Sequence, residues 1–237
     1  LLDGRLRLRE RQEEGYDDSP MNRLTEIMLS THVERELTTA CASGEMDTIL
    51  PELARLGSHD KRHKDMLAHS IRVAAKTPKR IEVRLAGLLH DIGKPDTRKF
   101  EGSKVTFWMH EDVGARIVTK RLPIVGYDRA TTERVARMIR MSGDCKQAHL
   151  WSDAAVRRFV TDAGDCLDDL LWLFRADTTS KHAARRREIA LKVDALRVRI
   201  AQVAELDRER AFRPVVTGRD VMARYGIEPP AAVARHL

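Results

Sequence analysis

Leu85-Ala86-Gly87-Leu88-Leu89-His90-Asp91-Ile92-Gly93-Lys94-Pro95 sets a histidine and an aspartate directly behind an apolar run. Ile81 and Val83 extend that run upstream. An apolar segment of this length, closed by Gly93 and Pro95, reads as a helix with the usual stop signals at its end. The pattern predicts a helix over 81–92 that carries His90 and Asp91 in its final turn. Polar groups brought so close to an apolar interior must find partners, because an unpaired buried carboxylate is strongly destabilising.

Two other segments make the same kind of offer. Between His63 and Lys76, Met66, His69 and Val73 recur at i, i+3 and i+7 beside Leu67, Ile71 and Ala74, so His69 stands at the edge of a buried stripe. After Asp165, Leu167, Leu170, Leu171 and Phe174 line one helical face, and the next position on that face is Asp177. Three helices thus each deliver a metal-competent side chain from a largely apolar face: His69 from one, His90 and Asp91 from another, Asp177 from a third. A single histidine in such a place is more often a hydrogen-bonded core residue, but the joint pattern favours a shared divalent cation. Neutral imidazole nitrogen with carboxylate oxygen suits Zn, Mn, Fe, Ni or Co better than calcium, with Mg also a candidate, and the sequence does not choose among them. His59-Asp60 is a second His-Asp pair, but Gly57, Ser58, Lys61 and Arg62 surround it and no apolar stripe presents it. It is expected at the surface.

The rest of the chain reads as further helices. Residues 1–20 begin without methionine, alternate as Arg5-Leu6-Arg7-Leu8-Arg9 and end in Asp17-Asp18-Ser19-Pro20. They are expected to form a leader, disordered or a short strand, with Met21 a candidate start. Leu24 to Leu56 holds helical stretches punctuated by Gly44 and reads as a connecting segment over 21–58. A Gly102-Ser103 turn leads through Val105-Thr106-Phe107-Trp108 into a helix from about His110, with Val113, Ile117 and Val118 on its inner face. Asp128 and Ser152 are candidate N-caps for helices through Val135 and Ile139 and through Val156, Phe159 and Val160, the second closed by Gly164. From Ala183 to about Leu206, Ile189, Val193, Leu196, Ile200 and Val203 recur four and three apart, which makes one long amphipathic helix. Its outer face carries Arg185, Arg186, Arg187, Lys192, Arg197 and Arg199. Pro214, Gly218 and Pro229-Pro230 mark a loop-rich end with a short helix around Asp220 to Tyr225.

Alanine, leucine, arginine and glutamate dominate, and aromatic residues make up 5%, a composition that favours an all-α fold with little strand. The 237 residues, 42% hydrophobic, suffice for one sizeable core or a core plus an appended helical segment. The formal charge of +7 arises from 43 basic residues interleaved with 36 acidic ones. That is a solvated helical surface before it is an RNA-binding one. Cys41, Cys145 and Cys166 form no C-x-x-C pair, which argues against a disulfide framework or a thiolate zinc site and suits a reducing cytoplasm. No stretch approaches the roughly 18 uninterrupted apolar residues of a membrane span, and the N-terminus shows no apolar signal core, so a soluble cytoplasmic protein without membrane contact is expected.

Arg62-His63-Lys64-Asp65-Met66-Leu67-Ala68-His69, followed by the Leu85 to Pro95 stretch, resembles the HD superfamily of metal-dependent phosphohydrolases. The sequence is more similar still to the HD domain in the C-terminal half of bacterial CCA-adding tRNA nucleotidyltransferases. That similarity covers residues 45–230 and runs through Phe107 with His110-Glu111-Asp112-Val113-Gly114-Ala115, then Ala155-Val156-Arg157-Arg158-Phe159-Val160, Arg175-Ala176-Asp177-Thr178-Thr179 and Gly218-Arg219-Asp220-Val221-Met222. The resemblance implies an HD-domain helical bundle over 59–182, with the long helix and tail following over 183–237. It also implies His69, His90, Asp91 and Asp177 as metal ligands, a catalytic role for Asp91, and Lys94 and His110 near the phosphate or a second metal. The reaction it implies is hydrolysis of phosphate esters of nucleotides or RNA ends such as 2′,3′-cyclic phosphates, with a nucleotide, an RNA or a tRNA as partner. The helix end Ile139-Arg140-Met141-Ser142 departs from the pattern, since family members often have a histidine there. No Asp-x-Asp follows Gly57-Ser58 and few residues precede it, so CCA addition by this chain is not expected. The alternative reading is a headless tRNA-binding body and tail, without its own catalysis, served by Arg185 to Arg187. Hydrolysis of guanosine alarmones ranks last, for want of a clear acidic pair after the His-Asp helix.

Overall fold

Ser19 accepts a hydrogen bond from the Asn22 amide at 3.3 Å, and Pro20 takes the first helical position, where its missing N–H loses no bond. Helix α1 (Pro20–Leu29) starts there in the computed structural model, which describes residues 19–57, 65–102, 104–178, 180, 182–211 and 218–226. Most of the leader, the His59-Asp60 pair, His63, Lys64, Pro214 and Pro229-Pro230 lie outside the described residues.

Helices α2 (Val33–Ala42) and α3 (Glu45–Ile49) flank Gly44, and a 3-10 turn covers Pro51–Gly57. Asp65 then caps α4 (Met66–Lys76) by accepting from the Ala68 amide at 2.9 Å, and α5 (Ile81–Leu89) packs across it. One turn of helix, α6 (Lys94–Thr97), leads to an antiparallel hairpin of β1 (Lys99–Glu101) and β2 (Lys104–Thr106) with Phe100 opposite Val105. The bundle continues through α7 (His110–Val125), α8 (Arg129–Arg140), α9 (Asp153–Ala163) and α10 (Leu167–Ala176). After these come α11 (Ala183–Ala211) and α12 (Gly218–Tyr225). Asp128 and Ser152 cap α8 and α9 by accepting from the amides of Thr131 at 2.7 Å and Ala155 at 3.3 Å. The fold is all-α, with that hairpin as the one sheet among the described residues. No described helix is long and apolar enough to cross a membrane, and all three cysteines are free thiols.

Helix α5 is the axis of the core. Val83, Leu85, Ala86, Leu88 and Leu89 are fully or almost fully buried, and the helix touches α1, α4, α8 and α10. Gly87 lets α4 lie this close, since a Cβ there would stand 3.0 Å from the Ala74 Cα. Leu24, Ile27 and Met28 from α1, Leu37 from α2 and Met46 from α3 join the same buried cluster as Leu170 and Leu196. Each large aliphatic side chain so buried contributes about 1.5–3 kcal/mol. The helices before Gly57 therefore share the central core.

Three expectations shift. Helix α5 stops at Leu89 rather than Ile92: the Ile92 amide turns back to the Leu89 carbonyl and the Lys94 amide to that of Asp91, each at 3.0 Å. His90 is accordingly the C-cap and Asp91 lies in the turn beyond. Gly93 and Pro95 do not act as stop signals, because Gly93 has a right-handed φ of −82° and Pro95 opens α6. On α7 the buried face is Gly114, Ala115, Val118, Leu122 and Val125, with Val113 and Ile117 only half-buried, because the smallest side chains face the turn around Ile92 and Gly93. Helix α11 runs past Leu206 to Ala211 and buries Val193, Leu196 and Val203 along the expected seam.

Candidate metal centre

The first turn of α4 and the C-terminal ends of α5 and α10 meet at one point, each bringing a side chain seen in the sequence. His69 comes from α4, His90 caps α5 and Asp177 caps α10. One ligand atom from each of these three lies within 4.8 Å of the others. His69 Nε2 is 3.0 Å from Asp177 Oδ1, and His90 Nε2 is 3.4 Å from the same oxygen. Asp91 stands beside this triad, its Oδ1 3.3 Å from His90 Nε2 and its Oδ2 3.8 Å from His69 Nε2. The two imidazoles meet edge to face, 5.2 Å between centroids.

His90 is oriented from behind. Its Nδ1 donates to the Gly87 carbonyl at 2.9 Å, which places the proton on Nδ1 and turns Nε2, with its lone pair, into the site. That Nε2 is buried and makes no hydrogen bond, although two carboxylate oxygens face it. A lone pair facing carboxylates is repulsive unless a proton or a metal cation stands between them. Burial of the ring opposes a second proton, but the charges of Asp91 and Asp177 outweigh burial and hold the His90 pKa up at about 9. Asp91 moves the opposite way: burial raises its pKa, and His90 and Lys94 lower it by more. Asp177 is likewise held far below the ordinary carboxylate range, burial being outweighed by His69 and His90. Two imidazole nitrogens and carboxylate oxygen are the donor set of a transition-metal ion or Zn, and the orphaned Nε2 is an atom such an ion would satisfy. The residues present fit a divalent metal.

Lys94 and His110 flank Asp91. The Lys94 ammonium donates to Asp91 Oδ2 at 2.7 Å and lies 5.6 Å from the centroid of the Phe107 ring. It is thus a partner of the site aspartate rather than a bare helix-end cation. His110 Nδ1 donates to the Phe107 carbonyl at 2.8 Å and lies 3.0 Å from Glu111 Oε2, which turns Nε2 towards Asp91 Oδ1 at 3.7 Å. Gly93 makes this possible. A Cβ at Gly93 would fall 2.2 Å from the His110 carbonyl oxygen and 2.6 Å from the Gly114 amide nitrogen, so only glycine lets the turn after Asp91 lie against the start of α7. The orienting Gly87 carbonyl and the Gly93 approach escaped sequence reasoning; Phe107 and Glu111 were visible beside His110 in the resemblance, but not their contacts with Lys94 and His110. The end of α8 brings no imidazole: Ser142 bonds back to the Ile139 carbonyl at 2.8 Å and Arg140 pairs with Asp112 at 3.4 Å.

A family model described as the HD domain matches residues 65–205, a span from α4 through most of α11 that contains every residue of this centre. The chain is 30% identical over 226 residues to the A-adding tRNA nucleotidyltransferase of Deinococcus radiodurans, covering 89% of this chain and 50% of that protein. It is also 30% identical over 226 residues to the CC-adding tRNA nucleotidyltransferase of Thermus thermophilus, covering 90% of this chain and 49% of that one. The chain spans about half the length of these curated relatives. With the model matched over more than half of its residues, the chain belongs to the HD domain family, whose domains bind divalent metals.

Proposed function

We propose that this protein is a metal-dependent phosphohydrolase that cleaves phosphate esters of nucleotides or of RNA ends such as 2′,3′-cyclic phosphates. The observation that carries the reading is the buried His90 Nε2, oriented by the Gly87 carbonyl and left without a hydrogen bond before two carboxylates. His69, His90 and Asp177, with Asp91 beside them, would hold the ion, drawn from Mn, Ni, Mg, Fe, Co or Zn. When bound, the ion supplies Lewis acidity towards the phosphoryl group and the attacking water. In the reaction a new O–P bond forms from water, the ester P–O bond breaks, and the water proton passes by way of a base to the departing oxygen. Asp91 Oδ1 would orient that water and accept its proton, a role supported by the commitment of its other oxygen to Lys94. Lys94 and His110 bring positive charge and an N–H donor or acceptor to the edge where phosphoryl charge grows.

Metal analysis of the purified protein beside a phosphodiesterase screen tests this. We expect bound divalent metal, hydrolysis of 2′,3′-cyclic nucleotides that chelation abolishes, and restoration by a transition-metal ion; full activity after exhaustive chelation refutes it. A second reading has a specific observation behind it, since both relatives described above are tRNA nucleotidyltransferases. On that reading the chain binds tRNA through the exposed face of α11 at Arg185 to Arg187. Binding would then fall steeply with salt, because phosphate contacts release counterions. Metal-free, inactive protein that retains salt-dependent tRNA binding favours this second reading.

A further inference from the structure

The chain has three tryptophans, and two of them are engaged. Trp151 packs on Phe159 with ring centroids 4.9 Å apart, and the guanidinium groups of Arg175 and Arg197 lie 5.9 and 6.0 Å from the Trp172 ring. Trp108 is 77% exposed, and among the described residues no ring or cation contact engages its indole. A lone exposed apolar side chain is ordinary. Its setting here is not.

Trp108 and Met109 form the tip of a turn closed by the His110 amide, which donates to the Phe107 carbonyl at 3.2 Å. Met109 takes φ 60° and ψ 26° there, in the left-handed region, and it is the one described residue other than glycine with a positive φ. Glycine or asparagine ordinarily fills that position, and turn tips ordinarily carry small or polar side chains. Here two large apolar ones stand in their place, Met109 being 42% exposed. Neither choice serves the fold, because the backbone is strained for methionine and the exposed side chains bury little surface. The same turn belongs to the metal centre. The Phe107 carbonyl also accepts from His110 Nδ1 at 2.8 Å, and the Phe107 ring lies 5.6 Å from the Lys94 ammonium. Trp108 and His110 are two residues apart, so their Cα atoms are separated by no more than about 7.6 Å. A phosphate received by Lys94 and His110 therefore has its own sugar and base within reach of Trp108.

We infer that the tip formed by Trp108 and Met109 is the base platform of the metal centre: the indole stacks on the nucleobase of the ester whose phosphate Lys94 and His110 receive. The inference rests on the phosphohydrolase reading above and deepens it, because it makes the substrate a base-bearing nucleotide or RNA end rather than any small phosphate ester. Stacking on an aromatic face tolerates any base, since every base has a π-face, and the Met109 thioether offers a polarizable flank to the same ring.

The test uses the full chain freed of metal by chelation, so that no turnover consumes the ligand. 3′-AMP is titrated by calorimetry and, in parallel, by quenching of tryptophan fluorescence, with ribose 5-phosphate as the base-free control. The parent should bind 3′-AMP about tenfold or more tighter than ribose 5-phosphate, and the base should quench the indole. Trp108→Ala should lose that preference, and Trp108→Phe, which keeps a ring, should retain most of it. Trp172→Phe should retain both the preference and the quench. With metal restored, the KM of Trp108→Ala for 2′,3′-cyclic AMP should rise about tenfold, by more than kcat falls. Equal affinity of the parent for both ligands, no binding of 3′-AMP, or undiminished binding by Trp108→Ala overturns the platform. Hydrolysis reports separately on the underlying reading. A chain that binds 3′-AMP through Trp108 and hydrolyses no cyclic nucleotide keeps the base site and refutes the phosphohydrolase. One whose hydrolysis of 2′,3′-cyclic AMP is undiminished by Trp108→Ala keeps the phosphohydrolase and refutes the platform.

Discussion

Replacing Asp177 by asparagine separates a metal ligand from a hydrogen-bonded core aspartate. In the metal-free protein the carboxylate takes a 3.0 Å bond from His69 and faces His90 at 3.4 Å. Asparagine keeps an oxygen for His69 and loses the charge. The Asp177 side chain is 36% exposed, so solvent screening limits the lost ion pairing to about 0–1 kcal/mol. For a chain of this size that is at most about 4 °C in Tm. Metal changes the comparison. At a hundredfold excess over Kd the ion adds about 2.7 kcal/mol to the parent, a rise of about 5–11 °C. If the substitution weakens affinity by about a hundredfold, as losing an anionic ligand should, the same metal concentration adds only about 0.4 kcal/mol, or 1–2 °C. A thermal melt of parent and variant, each with and without metal, reads all four values. An equal metal-induced rise in both would remove Asp177 from the ligand set. A large loss in the metal-free variant with an intact metal shift would make it a core hydrogen-bond acceptor.

Other perturbations follow from the core and the thiols. Leu24→Ala, at a fully buried site in α1, should cost about 2–5 kcal/mol and lower one cooperative transition; two separate transitions would show that α1 to α3 form their own unit. Burial pushes the thiol of Cys41 up to about 11 and that of Cys145 up to about 12, and raises that of Cys166. Because only the thiolate alkylates, labelling by iodoacetamide at pH 8 should be far slower than for a free thiol, climb as pH rises towards those values, and become fast in urea; mass spectrometry follows each site, and free-thiol rates at pH 8 would refute the burial argument.

The sequence shows what the helical period can carry and hides what depends on contact. His69 and Asp177 were visible because 3.6 residues per turn fix which face a side chain takes, and both fall on stripes whose other members are apolar. His90 and Asp91 were visible as a pair at an apolar helix's end, though the last turn proved to be a separate turn with its own bonds. The His90 tautomer was not legible, since it depends on a ring rotamer meeting the Gly87 carbonyl. Nor was the docking of α1, where Thr25 and Tyr127 bond at 2.8 Å across 102 residues of chain. The hairpin was hidden because strands of three residues hold too little alternation to be read. Gly93 is the most instructive loss: in sequence it resembles a helix stop, and in the fold it is a spacing device that sets His110 against Asp91. Gly93→Ala tests that. The new methyl must move about 1 Å away from the His110 carbonyl, a strain of about 1–3 kcal/mol, and the start of α7 is what yields. His69, His90 and Asp177 lie on other helices, so metal content and the metal-induced rise in Tm should persist. His110 Nε2, now 3.7 Å from Asp91 Oδ1, should drift, and a displacement of that size at a reacting centre costs about a hundredfold in rate. A variant that keeps its metal and loses its turnover places His110 in the reaction. One that keeps both leaves the glycine a packing residue and His110 a bystander.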